Sequence, residues 1–223
     1  MSHAFFIILI VAIVIGIMIL GQIQADRRRR ALAAWGSARG LEFFPARDSR
    51  LEDRYPFACL KHGESRYADN RLQGRIGDHS CCAFDYHYET SDGKNRTRHE
   101  FSAVILATKL PLKPLVIRPE HLSDRFVALL GFAGIEFESE AFNRQFHVSA
   151  PDRRWAFDVL PQATLEFLLD SPRFCLECQP CQIIAYRETI FQPAEFESAV
   201  EVIEGILSRL PKSLVEELQE NEE

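Results

Sequence analysis

Residues 4 to 21, AFFIILIVAIVIGIMILG, form an apolar run without a single charge. As a helix this run rises roughly 27 Å, close to the roughly 30 Å hydrocarbon core of a bilayer. The pattern then changes period. From Asp26 to Arg39 the residues Ala31, Leu32, Trp35 and Ala38 recur at helical spacing, and Gly40 supplies a left-handed stop. Leu41 to Phe44 enters a strand, and Arg71 to Ile76 is a second one. Phe84, Tyr86 and Tyr88 alternate with Asp85, His87 and Glu89, the period of two of a half-buried strand. Ser91 to Asn95 provides turn chemistry, and Phe101 to Thr108 returns, which predicts a hairpin. Leu115 to Ile117 is a short strand, and Ser123 starts a helix that runs through Leu130 and stops at Gly131.

The second half repeats the mixture without repeating the sequence. Ile135 to Ser139 and Arg144 to Val148 read as strands, Asp152 to Leu160 as a helix broken by Pro161, and Ala163 to Leu169 as another helix. Phe174 to Arg187, FCLECQPCQIIAYR, reads as two strands about a Gln179-Pro180 connection. Phe196, Ala199, Val200, Ile203, Ile206, Leu207 and Leu210 make an amphipathic helix ended by Pro211. Ser213 and Glu216 then have capping-box spacing for a short helix running into the acidic tail. Segregated runs of strands and helices predict an α+β fold with a mostly antiparallel mixed sheet and packed helices behind an N-terminal transmembrane helix, in one body or two subdomains. The expected divisions are an anchor over 1–25, a basic juxtamembrane helix over 26–40, a β-rich block over 41–131, an α+β block over 132–211 and an acidic tail over 212–223.

Charge orients the anchor. The chain has 223 residues and a formal net charge of −6. Met1-Ser2-His3 lacks the basic residue of a signal peptide, whereas Arg27, Arg28, Arg29 and Arg30 follow the apolar run. Arginines flanking a span mark its cytoplasmic side, so a short N-terminus is expected outside and the body inside. The same four arginines are candidates for contact with anionic headgroups, at roughly 1 kcal/mol each. An acidic body excludes nucleic acid as a partner, leaving the lipid bilayer and an unidentified protein. In the cytoplasm the six cysteines are expected to be thiols or ligands rather than disulfides.

The segment AFNRQFHVSAPDRRWAFDVLP, Ala141 to Pro161, resembles a pattern in a family of bacterial membrane-tethered proteins of unknown function. There an F-N-x-x-F-x-V strand leads through an acidic turn into a helix ending in proline, here Phe142, Asn143, Phe146, Val148, Asp152, Ala156 and Pro161. FDYHYET and the arginine-rich helix are similar as well. The resemblance implies an architecture, and no established activity or catalytic residue. On the residues themselves, Phe142, Phe146 and Val148 are expected to share a strand face, with Ser149 or Asp152 capping the following helix. Arg144, Arg153 and Arg154 are candidates for binding an anion near that helix start, with solvated arginines as the competing reading.

Candidate chemistry is sparse. Cys175, Cys178 and Cys181 have the C-x2-C-x2-C spacing of a metal or cluster run, but Ala185 stands where a bacterial ferredoxin places its fourth ligand. A zinc site needs a distant ligand from Cys59, Cys81, Cys82, His79 or His87. The hairpin reading instead puts Phe174, Leu176 and Cys178 on one face and Cys175 and Glu177 on the other, with Cys178 and Cys181 as cross-strand neighbours. His87 and His99 could face each other near Asp85 and Glu100, as an acid/base or metal-binding group or as solvated strand residues. Asn95-Arg96-Thr97 is a glycosylation triplet that a cytoplasmic body does not use. The chain has no P-loop, serine elbow, H-E-x-x-H or dinucleotide fingerprint. The expectation is a single-pass anchored protein with a non-catalytic binding or scaffold domain, without cofactor or catalytic residue. The alternative is a tethered metal-binding or thiol redox protein using Cys178 and Cys181.

Overall fold

The computed structural model describes residues 2–120 and 134–220. One helix, α1 (Ser2–Ala38), covers both the expected span and the expected juxtamembrane helix without a break. Side chains along the apolar run are exposed, and its most apolar window is 0% buried by the rest of the chain. By length and composition α1 can cross a membrane. Beyond Ala25 one face turns inward. Arg28, Leu32, Trp35, Gly36 and Arg39 fall at helical spacing, with Leu32 fully buried and Trp35 nearly so. Gly36 lets the helix close on the sheet, since a Cβ there would run into Leu72 Cδ2. Gly40, at φ 70°, turns the chain so that the Leu41 N–H donates to Gly36 O at 2.8 Å.

The strands are β1 (Glu42–Phe44), β2 (Glu64–Ile76), β3 (His79–Ser91), β4 (Arg96–Ala107), β5 (Leu115–Pro119), β6 (Gly134–Ile135), β7 (Phe146–Ser149), β8 (Cys175–Gln179) and β9 (Gln182–Arg187). They form one antiparallel nine-stranded sheet in the order β1-β2-β3-β4-β9-β8-β5-β7-β6. The helices after α1 are α2 (Leu51–Arg54), α3 (Glu140–Asn143), α4 (Arg153–Val159), α5 (Gln162–Asp170), α6 (Pro193–Leu207) and α7 (Lys212–Glu220). This is the expected α+β class. The sheet does not break between the two expected blocks, because β4 pairs with β9 and β5 pairs with both β7 and β8. The predicted helix from Ser123 to Leu130 and the boundary at 131 lie outside the described residues.

Alternation sorts the core onto two faces. Leu72, Ala83, Val104, Leu176 and Ile183 face α1, α5 and α6 in the larger cluster. Phe84, Tyr86, Phe101, Ile105 and Tyr186 face the other way, where Leu51, Phe57, Cys59 and Leu60 cover them. That cover comes from a stretch whose sequence carries no clear period. Its 3-10 turn, Ala58–Leu60, is held by Glu177, which accepts the Ala58 N–H at 3.1 Å.

Several expected elements shift. Phe142 and Asn143 belong to α3, capped by Ser139, and not to a strand, so Phe142 does not share a strand face with Phe146. The Asn143 side chain replaces a ladder rung: its amide donates to Phe137 O at 2.7 Å and its carbonyl accepts from Phe137 N at 3.0 Å. Asp152 caps α4 as expected, accepting from the Arg154 and Trp155 N–H groups. A capping box between Gln192 and Glu195, with Pro193 next, starts α6 earlier than its apolar periodicity shows. The short helix expected after Pro211 is α7, which begins at Lys212 and buries Leu214 and Leu218.

Candidate functional site

Where α1 meets the sheet, the strand face changes from apolar to polar. Along β3 the inward positions run Cys81, Ala83, Asp85, His87, and their β4 partners run Leu106, Val104, Ser102, Glu100. Asp85 is 2% exposed and would be costly there as an isolated charge. Arg28 answers it. Its Nε donates to Asp85 Oδ2 at 2.7 Å and its Nη2 to Oδ1 at 2.5 Å, a two-pronged pair. Asn70 Nδ2 donates to Oδ2 at 2.9 Å and Ser102 Oγ to Oδ1 at 2.5 Å, so both carboxylate oxygens carry two donors. Arg28 Nη1 reaches Phe191 O at 2.8 Å, and Phe191 N–H donates to Ser102 Oγ at 2.9 Å, which ties in the loop before α6. A second clasp follows one face further along α1, where Trp35 Nε1 donates to Glu197 Oε2 at 3.2 Å and Arg39 pairs with the same carboxylate.

The four-arginine cluster therefore divides. Arg28 is turned into the body, whereas Arg27, Arg29 and Arg30 remain exposed. Arg29 lies 3.7 Å from Asp26. The solvated-residue reading of Asp85 and His87 is corrected by their burial, at 2% and 7% exposure.

Two residues further along β3, His87 continues the polar track. Its Nε2 lies 3.1 Å from Asp69 Oδ1, and Arg98 Nη2 donates to its Nδ1 at 3.2 Å, which leaves the Nε2 N–H to donate to Asp69. Tyr67 stacks on the imidazole at 4.6 Å between ring centres, and its hydroxyl accepts from Arg98 Nη2 at 2.8 Å. The Arg47 guanidinium sits over the outer face of Tyr67, 4.4 Å from the ring centre. Arg47, Tyr67, His87 and Arg98 line a cleft of about 290 Å³ together with Ser65, Tyr88 and Glu89. The facing of His87 and His99 does not occur. His87 pairs with Glu100 and His99 with Tyr88, and adjacent positions on a strand point to opposite faces.

The remaining sequence candidates do not converge. Asp152, by accepting the Arg154 and Trp155 N–H groups, fills the start of α4 with the chain's own carboxylate, and Lys113 approaches it at 3.3 Å. Arg144 lies 3.9 Å from Glu140, Arg154 lies 3.8 Å from Asp158, and Arg153 covers the Phe157 ring. Cys175 and Cys178 lie in the two opposite core clusters. Cys178 pairs with Ile183 and Gln179 with Gln182, so Cys181 occupies the turn at φ 60° and is not the cross-strand neighbour of Cys178. Pro180 then Cys181 is the sequence of a turn with a fixed first φ and a positive second one. Burial pushes the Cys175 and Cys178 thiols up to about 12, and does the same for Cys81. Among the described residues, no group of three or more His, Cys, Asp or Glu is placed to hold a metal.

A larger groove of about 850 Å³ opens at the far end of the sheet, between β3, β4 and the helices α6 and α7. Its lining mixes Asp78 and Glu204 with Lys109, Leu207 and Val215, and His79 Nδ1 is engaged by Ala107 O at 2.9 Å. The track from Arg28 to Arg98 is the better-organised chemistry. Sequence reading missed Arg47, Tyr67, Asp69, Asn70, Arg98 and Ser102 because they come from segments far apart in the chain. One signal was present: an aspartate on the inward side of an otherwise aromatic strand requires a cation.

No protein-family model matches the chain, and none of the curated proteins matches it in sequence. A solved structure is similar in fold: the crystal structure of the mycobacterial trehalose monomycolate transport factor A, TtfA, superposes with a TM-score of 0.59 at 12% identity. The match covers 82% of this chain and 96% of that one. At that identity the likeness concerns the fold.

Proposed function

We propose that this chain is a single-pass, inner-membrane-anchored accessory protein whose non-catalytic body faces the cytoplasm and binds a protein or lipid partner at the membrane surface. The observation that carries this reading is the clamp of Arg28 on Asp85. A body meant to roam on a flexible tether has no use for a buried ion pair between its anchor helix and a strand of its sheet. Here one continuous helix runs from the span into the sheet, so the span sets the position of the body. The arginines left exposed beside the clamp, Arg27, Arg29 and Arg30, support a cytoplasmic body by the positive-inside rule. The resemblance to bacterial membrane-tethered proteins supports the same placement. TtfA is described as a transport factor, and an accessory role in membrane transport is the version of this reading that its shared fold favours.

The thiol and metal alternative, which uses Cys178 and Cys181, has less support, since Cys178 is buried with its thiol pushed up to about 12 and Cys181 sits in the turn rather than across the ladder from it. The test is a pair of full-length C-terminal fusions, one to a reporter active only in the cytoplasm and one to a reporter active only outside it. Activity of the cytoplasmic reporter alone is expected. Activity of the external reporter alone would overturn the orientation.

A further inference from the structure

We propose that the cleft between Arg47, Tyr67 and Arg98 binds the phosphate of an anionic ligand, supplied by the headgroup of a membrane lipid. Three observations carry it. First, two guanidinium groups converge on one cleft, and among the described residues neither has a carboxylate within ion-pair distance. Glu89, opposite Arg98 in the ladder, is the acidic residue in the lining, and its carboxylate is met by Arg96 at 3.5 Å, while Glu100 lies 3.7 Å from His87 Nδ1. Two exposed arginines without a direct carboxylate partner attract an anion, and guanidinium groups suit phosphate because two N–H groups can meet two oxygens.

Second, the cleft is preorganised. Asp69 holds His87 from below, His87 holds Arg98 and stacks on Tyr67, and Tyr67 carries Arg47 on its other face. The Tyr67 hydroxyl oxygen is already used as an acceptor from Arg98, which leaves its hydrogen to donate to a ligand oxygen. Third, its position is within reach of a headgroup. Arg28 stands five residues past Ile23, the last large apolar residue before the arginines, a rise of about 7.5 Å. Its partner Asp85 lies two positions along β3 from His87, roughly 7 Å, so the cleft stays close to the point where the anchor enters the body.

The lipid as source rests on the anchored arrangement proposed above, whereas the phosphate site itself does not. The test uses the full chain in nanodiscs of phosphatidylcholine alone, in discs enriched in phosphatidylglycerol, and in phosphatidylcholine discs with glycerol 3-phosphate added. Hydrogen exchange over Ser65–Asn70 and Tyr86–Arg98 reads occupancy. Phosphatidylglycerol is expected to slow exchange there, and the Arg47→Ala/Arg98→Ala pair to weaken the effect roughly thirtyfold, the loss of two cationic contacts at a membrane surface. The Arg47→Lys/Arg98→Lys pair retains the charges and separates a lost ligand from a lost fold, by keeping part of the protection. Protection by glycerol 3-phosphate but not by phosphatidylglycerol keeps the phosphate site and moves its source to solution. No protection by either, or equal protection in the double alanine variant, overturns the proposal. Discs present both faces to the protein, so this result is independent of the orientation read by the reporter fusions.

Discussion

Asp85 and Arg28 show how much a single residue pair can decide here. Removing only the cation, by Arg28→Ala, leaves a carboxylate with 2% exposure short of two donors, and such uncompensated charges cost about 3–5 kcal/mol. Urea titration of the full chain in detergent should show a loss of that order, and Arg28→Met combined with Asp85→Leu should recover much of it. A double variant as unstable as Arg28→Ala would show that the pair is not the source of the loss. Glu177 gives a second prediction at this scale. Burial raises the pKa of its carboxyl group above the ordinary carboxylate value, against the opposing pull of the Gln179 amide and the Ala58 N–H. Because the folded value is the higher one, the stability linked to this group is fully present below the unfolded value and is lost as pH rises through the folded one. Glu177→Gln should flatten that decline in melting curves taken from acidic to neutral pH. An unchanged pH profile would remove Glu177 as its cause.

At the level of elements, the hydrophobic pattern carried the long pieces and failed where side chains replace backbone pairing. The β3–β4 hairpin was legible because Phe84, Tyr86 and Tyr88 alternate over a turn of Asp and Gly residues. The Phe142-Asn143 strand was not, because the Asn143 amide bonds to both backbone groups of Phe137 and allows a helical turn in place of a rung. The clamp was half legible. Helical spacing through Leu32 and Trp35 indicates a buried face, but only the packed sheet reveals that Arg28, among four adjacent arginines, shares it. Gly36 tests the docking of this helix. A Cβ there would meet Leu72, so Gly36→Ala should cost about 1–3 kcal/mol in the same titration despite alanine's better helix propensity. A gain in stability would mean that α1 is not seated on β2 as described.

For the molecule as a whole, the anchor helix, β3 and the loop before α6 form one mechanical unit. That arrangement was invisible to any local pattern, since its parts lie 57 and 163 residues apart in the chain. The central claim is that the span continues rigidly into the body. Hydrogen exchange on the full-length protein in nanodiscs tests it directly, by following amides from Gln24 to Ala38 in the wild type and in Asp85→Ala. Continuous protection across Arg27–Arg30 in the wild type, with faster exchange through Leu32 and Trp35 in the variant, is the predicted result. A break in protection at the arginines in the wild type, or identical exchange in both proteins, would contradict it.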